Sequence, residues 1–340
     1  MTPRVSVCLP TYNRIDFLPE CVASIRAQSF GDFEVVAADN GSEDGTWEFL
    51  NDTAKADSRF RVFRNERQLG LVGNLNRVLA HARGEWIKFV LSDDFILPDC
   101  LRRLLAAADA SGLPFAAARN RLVFEAGLGP EVRDAWATGS AGQDDFYSAQ
   151  PRLDPEAWCG HILGRPTHNS LGAPTDTLIR RDLFHRRGGF NPYLLQLTDL
   201  ECWHRLGAEA GVALVPEVLS AFRVHGASAS SAIQREGGFR VTYAEPALIF
   251  HEFLRHPQHD RLRATARRTC GRHFLLRRVG ELSWQARQEV RRLSAEEPAR
   301  GAEAARLWAQ LTAAHPRLRL LALVQGWLKE TRRLPLGPRG

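Results

Sequence analysis

The stretch Trp86-Ile87-Lys88-Phe89-Val90-Leu91-Ser92-Asp93-Asp94 decides the fold class of this 340-residue chain. A nearly unbroken apolar run that stops on two carboxylates reads as a strand covered on both faces, with its carboxyl end open to solvent. Three similar runs precede it: residues 5–9 (VSVCL), residues 33–38 with Asp39-Asn40-Gly41-Ser42 directly behind them, and residues 61–64. Between these runs apolar residues recur at helical spacing. Phe17, Leu18, Cys21, Val22 and Ile25 mark one helix, and Trp47, Phe49 and Leu50 mark a second that Asp44 would cap. Residues 70–82 form a third, closed by Gly84. A βαβαβαβ order predicts an α/β protein with an open, mostly parallel sheet and helices on both faces. Such sheets bind ligands at the carboxyl ends of their strands. Thr11, Asp39, Asp93 and Asp94 each follow a strand and should therefore meet along one edge.

Further along, residues 113–174 are rich in Gly, Pro, Asp and Trp and read as an irregular connector. Residues 177–179 read as a strand and 200–210 as a helix. A short strand at 212–215 then leads to Phe222-Arg223-Val224-His225. From Tyr243 the pattern turns helical and basic, with Leu262, Cys270, Phe274, Leu275 and Val279 expected inside and a helix break at Glu296-Glu297-Pro298. Two domains are expected, 1–240 and 241–340.

Composition narrows the function classes. Apolar residues at 44% and charged residues at 25% describe an ordinary soluble globular chain. No apolar run approaches the roughly 18 residues of a membrane span, and no secretory leader is visible, so a cytoplasmic protein is expected. The six cysteines never form C-x-x-C and read as free thiols of a reducing compartment. The net charge of +6 is uneven, because residues 241–340 hold 19 Lys+Arg against 9 Asp+Glu. The basic residues there lack interleaved aromatics or a known nucleic-acid module, so nucleic acid is not an expected partner. No G-x-G-x-x-G follows a strand, and neither G-x-x-x-x-G-K-[ST] nor H-E-x-x-H occurs.

Five residues are candidates for the chemistry. Adjacent carboxylates at a strand end, as in Asp93-Asp94, repel each other unless a cation or donors offset them, and oxygen ligands there suit Mn²⁺ or Mg²⁺. The competing view makes them caps of a turn and of the next helix. In Thr198-Asp199-Leu200-Glu201-Cys202-Trp203, Asp199 and Glu201 stand two apart and do not share a helix face; either could serve the helix dipole. His225, taken alone, is more often a structural histidine than a ligand.

Together these segments resemble the family 2 glycosyltransferases, inverting enzymes of the GT-A (Rossmann-like) fold that use nucleotide-diphosphate sugars. Val5-Ser6-Val7-Cys8-Leu9-Pro10-Thr11-Tyr12-Asn13-Arg14 matches the opening strand and its P-T-Y-N-R turn, and Asp39 to Thr46 is similar to D-[ND]-G-S-x-D-x-T. Gly70, Asn74 to Asn76, Gly84 to Ile87 and Ser92-Asp93-Asp94 resemble the stretch ending in the acidic metal motif. Thr198 to Leu206 resembles E-D-x-D-x-W-x-R-L, and Phe222 to His225 with Ser228 the closing R-x-H segment. Two positions depart from the pattern: Leu91 stands where the acidic motif begins with Asp, and Thr198 where Glu is usual.

The resemblance implies a metal-dependent inverting glycosyltransferase, most often using a UDP-sugar, in polysaccharide or glycoconjugate synthesis. It implies Asp199 as catalytic base, and Asp94 with His225 as ligands of Mn²⁺ or Mg²⁺. Pro10, Thr11, Tyr12, Arg14, Asp39, Gly70, Asn74 and Asp93 would hold the donor. The acceptor would be a glycan or a lipid-linked glycan. A nucleotidyltransferase-like enzyme and a catalytically degenerate binding module remain the alternatives. The basic region 241–340 admits a helical subdomain, an oligomerisation element, or a peripheral contact with the inner face of the plasma membrane through Arg317 to Val324 and Trp327 to Lys329.

Overall fold

The computed structural model describes residues 2–140, 143–228 and 238–333. The chain falls into two compact units, Met1–Ser231 and Ala232–Gly340, which divides it slightly before the expected position.

The first unit is built on one sheet. Strand β1 (Val5–Thr11) and strand β2 (Phe33–Asp39) are buried at every position, as their continuous apolar sequence requires. Helix α1 (Leu18–Arg26) connects them, burying Leu18, Cys21, Val22 and Ile25. Helix α2 (Thr46–Ala56), β3 (Phe60–Arg64), α3 (Gly70–His81) and β4 (Trp86–Phe89) follow. The four strands lie in the order β3-β2-β1-β4, all parallel. Gly84 sits where any side chain would collide with β1, since a Cβ there would stand 2.5 Å from the Ser6 nitrogen. Helix α2 begins at Gly45 rather than being capped by Asp44. Asp44 instead accepts from Ile15 N and Thr46 N, at 3.0 Å each, tying the loop after β2 to the loop after β1.

The expected connector at 113–174 is a correction. After β5 (Phe95–Ile96) and α4 (Cys100–Ser111), residues Phe115–Phe124 form β6, a long strand inside the sheet. Three helices follow: α5 (Pro130–Ser140), α6 (Gln143–Ala149) and, after the short β7 (Arg152–Leu153), α7 (Pro155–Gly164). Strand β6 enters as Phe-Ala-Ala-Ala, and alanine has little strand preference of its own, so neighbours on both sides decide its conformation. Those neighbours are β8 (Thr177–Arg180), antiparallel, and β9 (Val212–Val224), parallel. Helices α8 (Arg181–Arg187) and α9 (Thr198–Ala210) separate β8 from β9. The strand expected at 212–215 is the start of β9. Pro216, lacking an N–H, is tolerated there because it lies beside the register shift at Ala118 and Arg119. The full order is β3-β2-β1-β4-β8-β6-β9-β5, with β7 also on β9. Parallel ladders hold most of the paired residues.

The second unit is helical: α10 (Glu245–Arg255), α11 (Asp260–Thr269), α12 (Phe274–Glu296), α13 (Pro298–Ala314) and α14 (Pro316–Arg333). The break falls at Glu297-Pro298, with Pro298 opening α13, a position where its missing N–H is not needed. Leu262, Leu275 and Val279 are buried. Cys270 is half-buried, and the other five cysteines are buried free thiols. Among the described residues no helix is long and apolar enough to cross a membrane.

Candidate active site

The loops after β1, β2 and β4 and the end of β9 converge, as carboxyl-end placement requires. Asn13 adopts a left-handed φ of 48° in the turn after β1. Its backbone N–H donates to Ser42 Oγ (2.8 Å) and its side chain accepts from Glu43 N (3.0 Å), so the first two loops are stitched together. Arg14 is pulled across the site. Its Nε lies 3.4 Å from Asp93 Oδ2, and Nη2 donates to Ala227 O at 2.9 Å. Tyr12 is 41% exposed and accepts from Gln68 Nε2 at 2.8 Å.

The two adjacent carboxylates have separate environments. Asp93 Oδ2 stands 3.1 Å from His225 Nε2, and the histidine ring rests against Phe17 with centroids 4.4 Å apart. Asp94 points inward: Oδ2 accepts from Thr175 Oγ1 at 2.6 Å, and Oδ1 from Arg223 N at 3.0 Å. Burial works against ionisation of Asp93, but the His225 hydrogen bond and the Arg14 charge outweigh it and hold its carboxyl below the usual range. Burial, reinforced by the Asp93 charge, pushes Asp94 well upward. The carboxylate that faces the imidazole is Asp93, while Asp94, with 1% of its surface exposed, fastens β4's end to Thr175 and β9.

Asp39 and Asn74 are held by hydrogen bonds within the protein. Asp39 is fully buried and accepts from Gly41 N, Ser42 N and Ser42 Oγ, with Arg64 Nε at 3.4 Å. Asn74, also buried, donates to Thr11 O (3.2 Å) and Ala38 O (2.9 Å), clamping the ends of β1 and β2. Pro10 and Thr11 are buried in β1, and Gly70 is exposed at the start of α3 with φ 70°. Tyr12 and Gly70 are exposed at the rim, and Arg14 and Asp93 are partly exposed there.

Asp199 opens α9 and is half-buried. Asn169 Nδ2 donates to its Oδ2 at 3.1 Å. Asn169 also closes a tight loop, donating to Gly172 O (2.8 Å) and accepting from Gly172 N (3.1 Å). One turn along α9, Trp203 Nε1 donates to the same Gly172 carbonyl at 3.2 Å. Thr175, three residues beyond Gly172, holds Asp94. The segment 169–175 thus grips both acids, and even fully extended it spans no more than about 22 Å.

Glu201 takes no part in this arrangement. It forms a buried pair with Arg205 (Nε to Oε1, 2.8 Å), and Arg205 also donates to the carbonyls of Arg187, Gly188 (2.9 Å) and Gly189 (2.7 Å). Sequence reasoning missed Asn169 and Gly172, which lie in the stretch read as a connector, and Thr175, just beyond it. An Asn three residues before a Gly, a turn signature, was their only local signal.

Comparison with known proteins agrees with this architecture. The model of the Glycosyl transferase family 2 matches residues 6–146, so Asp199 and His225 lie outside the matched region. An uncharacterized protein of Mycobacterium tuberculosis is 30% identical over 221 residues, 65% of this chain and 67% of that one. The GalNAc(5)-diNAcBac-PP-undecaprenol beta-1,3-glucosyltransferase of Campylobacter jejuni is 35% identical over 108 residues, 32% of this chain and 35% of that protein. Among solved structures, S. aureus TarS 1-349 in complex with UDP-GlcNAc is similar with TM-score 0.57 and 18% identity, covering 92% of each chain. Mannosyltransferase PcManGT from Pyrobaculum calidifontis, in complex with GDP-Man and Mn2+, is similar with TM-score 0.54 and 18% identity, covering 96% of this chain and 85% of its own. The sheet and its loops define a GT-A-like protein. The chain belongs to the family 2 glycosyltransferases.

Proposed function

We propose that this chain is a metal-dependent, inverting glycosyltransferase that moves a sugar from a nucleoside-diphosphate sugar to an acceptor hydroxyl. The observation that carries this reading is the single segment 169–175, which anchors Asp199 through Asn169 and Asp94 through Thr175. It couples a candidate base to the acidic loop of a nucleotide-binding sheet edge.

The donor set at Asp93 and His225 fits a divalent cation, since a carboxylate oxygen and an imidazole nitrogen already converge to 3.1 Å. One oxygen and one nitrogen favour Mn²⁺ over Mg²⁺, which prefers oxygen alone. Bound there, the ion would stabilise negative charge on the departing diphosphate. Arg14 supplies a second positive charge beside Asp93 and is placed to share that task with a phosphate. Tyr12, exposed at the rim, offers a face to the nucleoside, and the loop that Asp39 shapes forms its floor. Asp199, oriented by Asn169, takes the proton of the attacking hydroxyl. A single displacement from the opposite face inverts the anomeric carbon and requires no covalent nucleophile. UDP is the donor nucleotide we favour from the family resemblance. The two similar solved complexes carry UDP-GlcNAc and GDP-Man, so a calorimetric panel of nucleoside diphosphates selects the base.

The test is Asp199→Asn. It should retain donor binding and lose transfer by about 10²–10⁴-fold, the usual contribution of a general base. Wild-type turnover would refute the assignment. Release of pyrophosphate instead of nucleoside diphosphate would favour a nucleotidyltransferase, and absence of donor turnover with Mn²⁺ a degenerate binding module.

A lipid-linked glycan is the acceptor class we favour. Helix α14 presents Leu320, Leu323, Val324, Trp327 and Leu328 to solvent, at 57%, 44%, 44%, 63% and 38% exposure. This i, i+3, i+4, i+7, i+8 stripe runs beside the exposed Arg317 and Arg319 and suits an anionic lipid surface. Co-sedimentation with phosphatidylglycerol vesicles should fall when Leu320 and Trp327 both become Asp. Equal binding by the variant would remove the membrane reading.

A further inference from the structure

A second group of metal-type side chains lies in the helical unit, on residues with no part in the proposed transfer. His251 and Glu252 are neighbours on α10, and His315 occupies the turn between α13 and α14. Their ligand atoms lie within 4.8 Å of one another. His251 and Glu252 are buried, and the His315 side chain is only 15% exposed. We propose that His251, Glu252 and His315 form a binding site for a Zn²⁺-class ion that fastens α10 to the α13–α14 turn.

The distances argue for a site over a purely hydrogen-bonded cluster. His251 Nδ1 stands 3.2 Å from Glu252 Oε1, which a hydrogen bond explains. His315 Nδ1 approaches the same oxygen but stops at 4.0 Å, beyond hydrogen-bond length. The two rings meet edge to face, with centroids 5.1 Å apart and planes at 65°. Two imidazole nitrogens therefore converge on one carboxylate oxygen. Ligands bound to Zn²⁺ at about 2.0–2.2 Å in a tetrahedron stand roughly 3.3 Å from each other. The observed set needs up to about 1.5 Å of side-chain adjustment to close on an ion.

The chemistry of the set selects the ion. Two imidazoles and one carboxylate suit Zn²⁺, Co²⁺ or Ni²⁺, whereas Mg²⁺ and Ca²⁺ favour oxygen alone. Three protein ligands leave a fourth position for water. The ligands come from helices far apart in sequence, so an ion would cross-link a long stretch of the second unit and stabilise it by binding only the folded form.

The test uses the full-length chain, free of any histidine tag and stripped with a chelator, carrying Asp93→Asn to remove the donor-site ligand. Titration with Co²⁺ should give one equivalent with the visible absorption of a tetrahedral site, displaced by Zn²⁺, and Zn²⁺ should raise the Tm. His315→Gln in the same background should lose the band and the Tm rise while retaining wild-type circular dichroism; Glu252→Gln provides a second variant should His315→Gln not fold. An unchanged band in both variants, or no tetrahedral band in the Asp93→Asn protein, overturns the proposal.

Discussion

His225 Nε2 and Asp93 Oδ2 stand 3.1 Å apart although 132 positions separate them in the chain. The proximity follows from topology, because β4 and β9 end on the same side of one sheet and their loops must meet there. It also separates the roles of two adjacent acids that sequence alone leaves equivalent.

Asp93→Asn and Asp94→Ala should therefore fail differently. The first should weaken Mn²⁺-dependent nucleotide binding by about 10-fold or more with little change in stability. The second leaves Thr175 Oγ1 and Arg223 N without their acceptor and should cost about 1–3 kcal/mol. Calorimetry with UDP and Mn²⁺, beside urea unfolding, checks both.

Asn169→Ala should lower kcat by about 10-fold or more while leaving KM for the donor near wild type. Its amide donates to the Asp199 carboxylate, and on the proposed role of Asp199 a base out of place by about an ångström would lose much of its effect. A shift in the acid limb of the kcat–pH profile would distinguish this from a general loss of folded protein.

Gly172→Ala should destabilise by at least about 1–3 kcal/mol, because φ is 87° and the new Cβ would stand 2.2 Å from Asp176 Oδ2. Gly127→Ala is the control: its φ of 89° is equally unfavourable, but nothing lies within 4 Å. Urea denaturation of the pair should show the larger loss at 172.

Acid should loosen the same loop. His161, next to Ser170 Oγ at 2.7 Å, has its pKa lowered to about 4 by burial, with Arg165 and His168 adding to the effect. A histidine depressed in the folded state contributes stability above its unfolded value of 6.5 and loses it as pH falls toward 4. The loss should reach roughly 1–2 kcal/mol after allowance for solvent screening. His161→Gln should flatten the stability curve in that window, as measured by unfolding at fixed temperature from pH 7 to 4.

The first hundred residues were legible because their physics is local. Runs such as Val-Ser-Val-Cys-Leu can be buried only as covered strands, and the polar residues that end them must lie at the sheet's edge. Strand β6 was not legible, since Ala116, Ala117 and Ala118 state no preference until β8 and β9 enclose them. The candidate site divides in the same way. Asp93, Asp199 and His225 stand out by type and position. The division of labour between Asp93 and Asp94 depends on which one Thr175 reaches, a contact across 81 positions that no spacing rule contains. Asn169 was hidden for the same reason.

Helix α9 and strand β9 are consecutive, with Gly211 between them. Asp199 stands at the front of this helix–strand unit and His225 directly behind it. Asp199 and His225 are thus mounted on one continuous helix–strand unit. An insertion or deletion anywhere from 200 to 224 would shift one end against the other. Changes of length are accordingly better tolerated in the segments outside this unit, where they leave the spacing of Asp199 and His225 untouched.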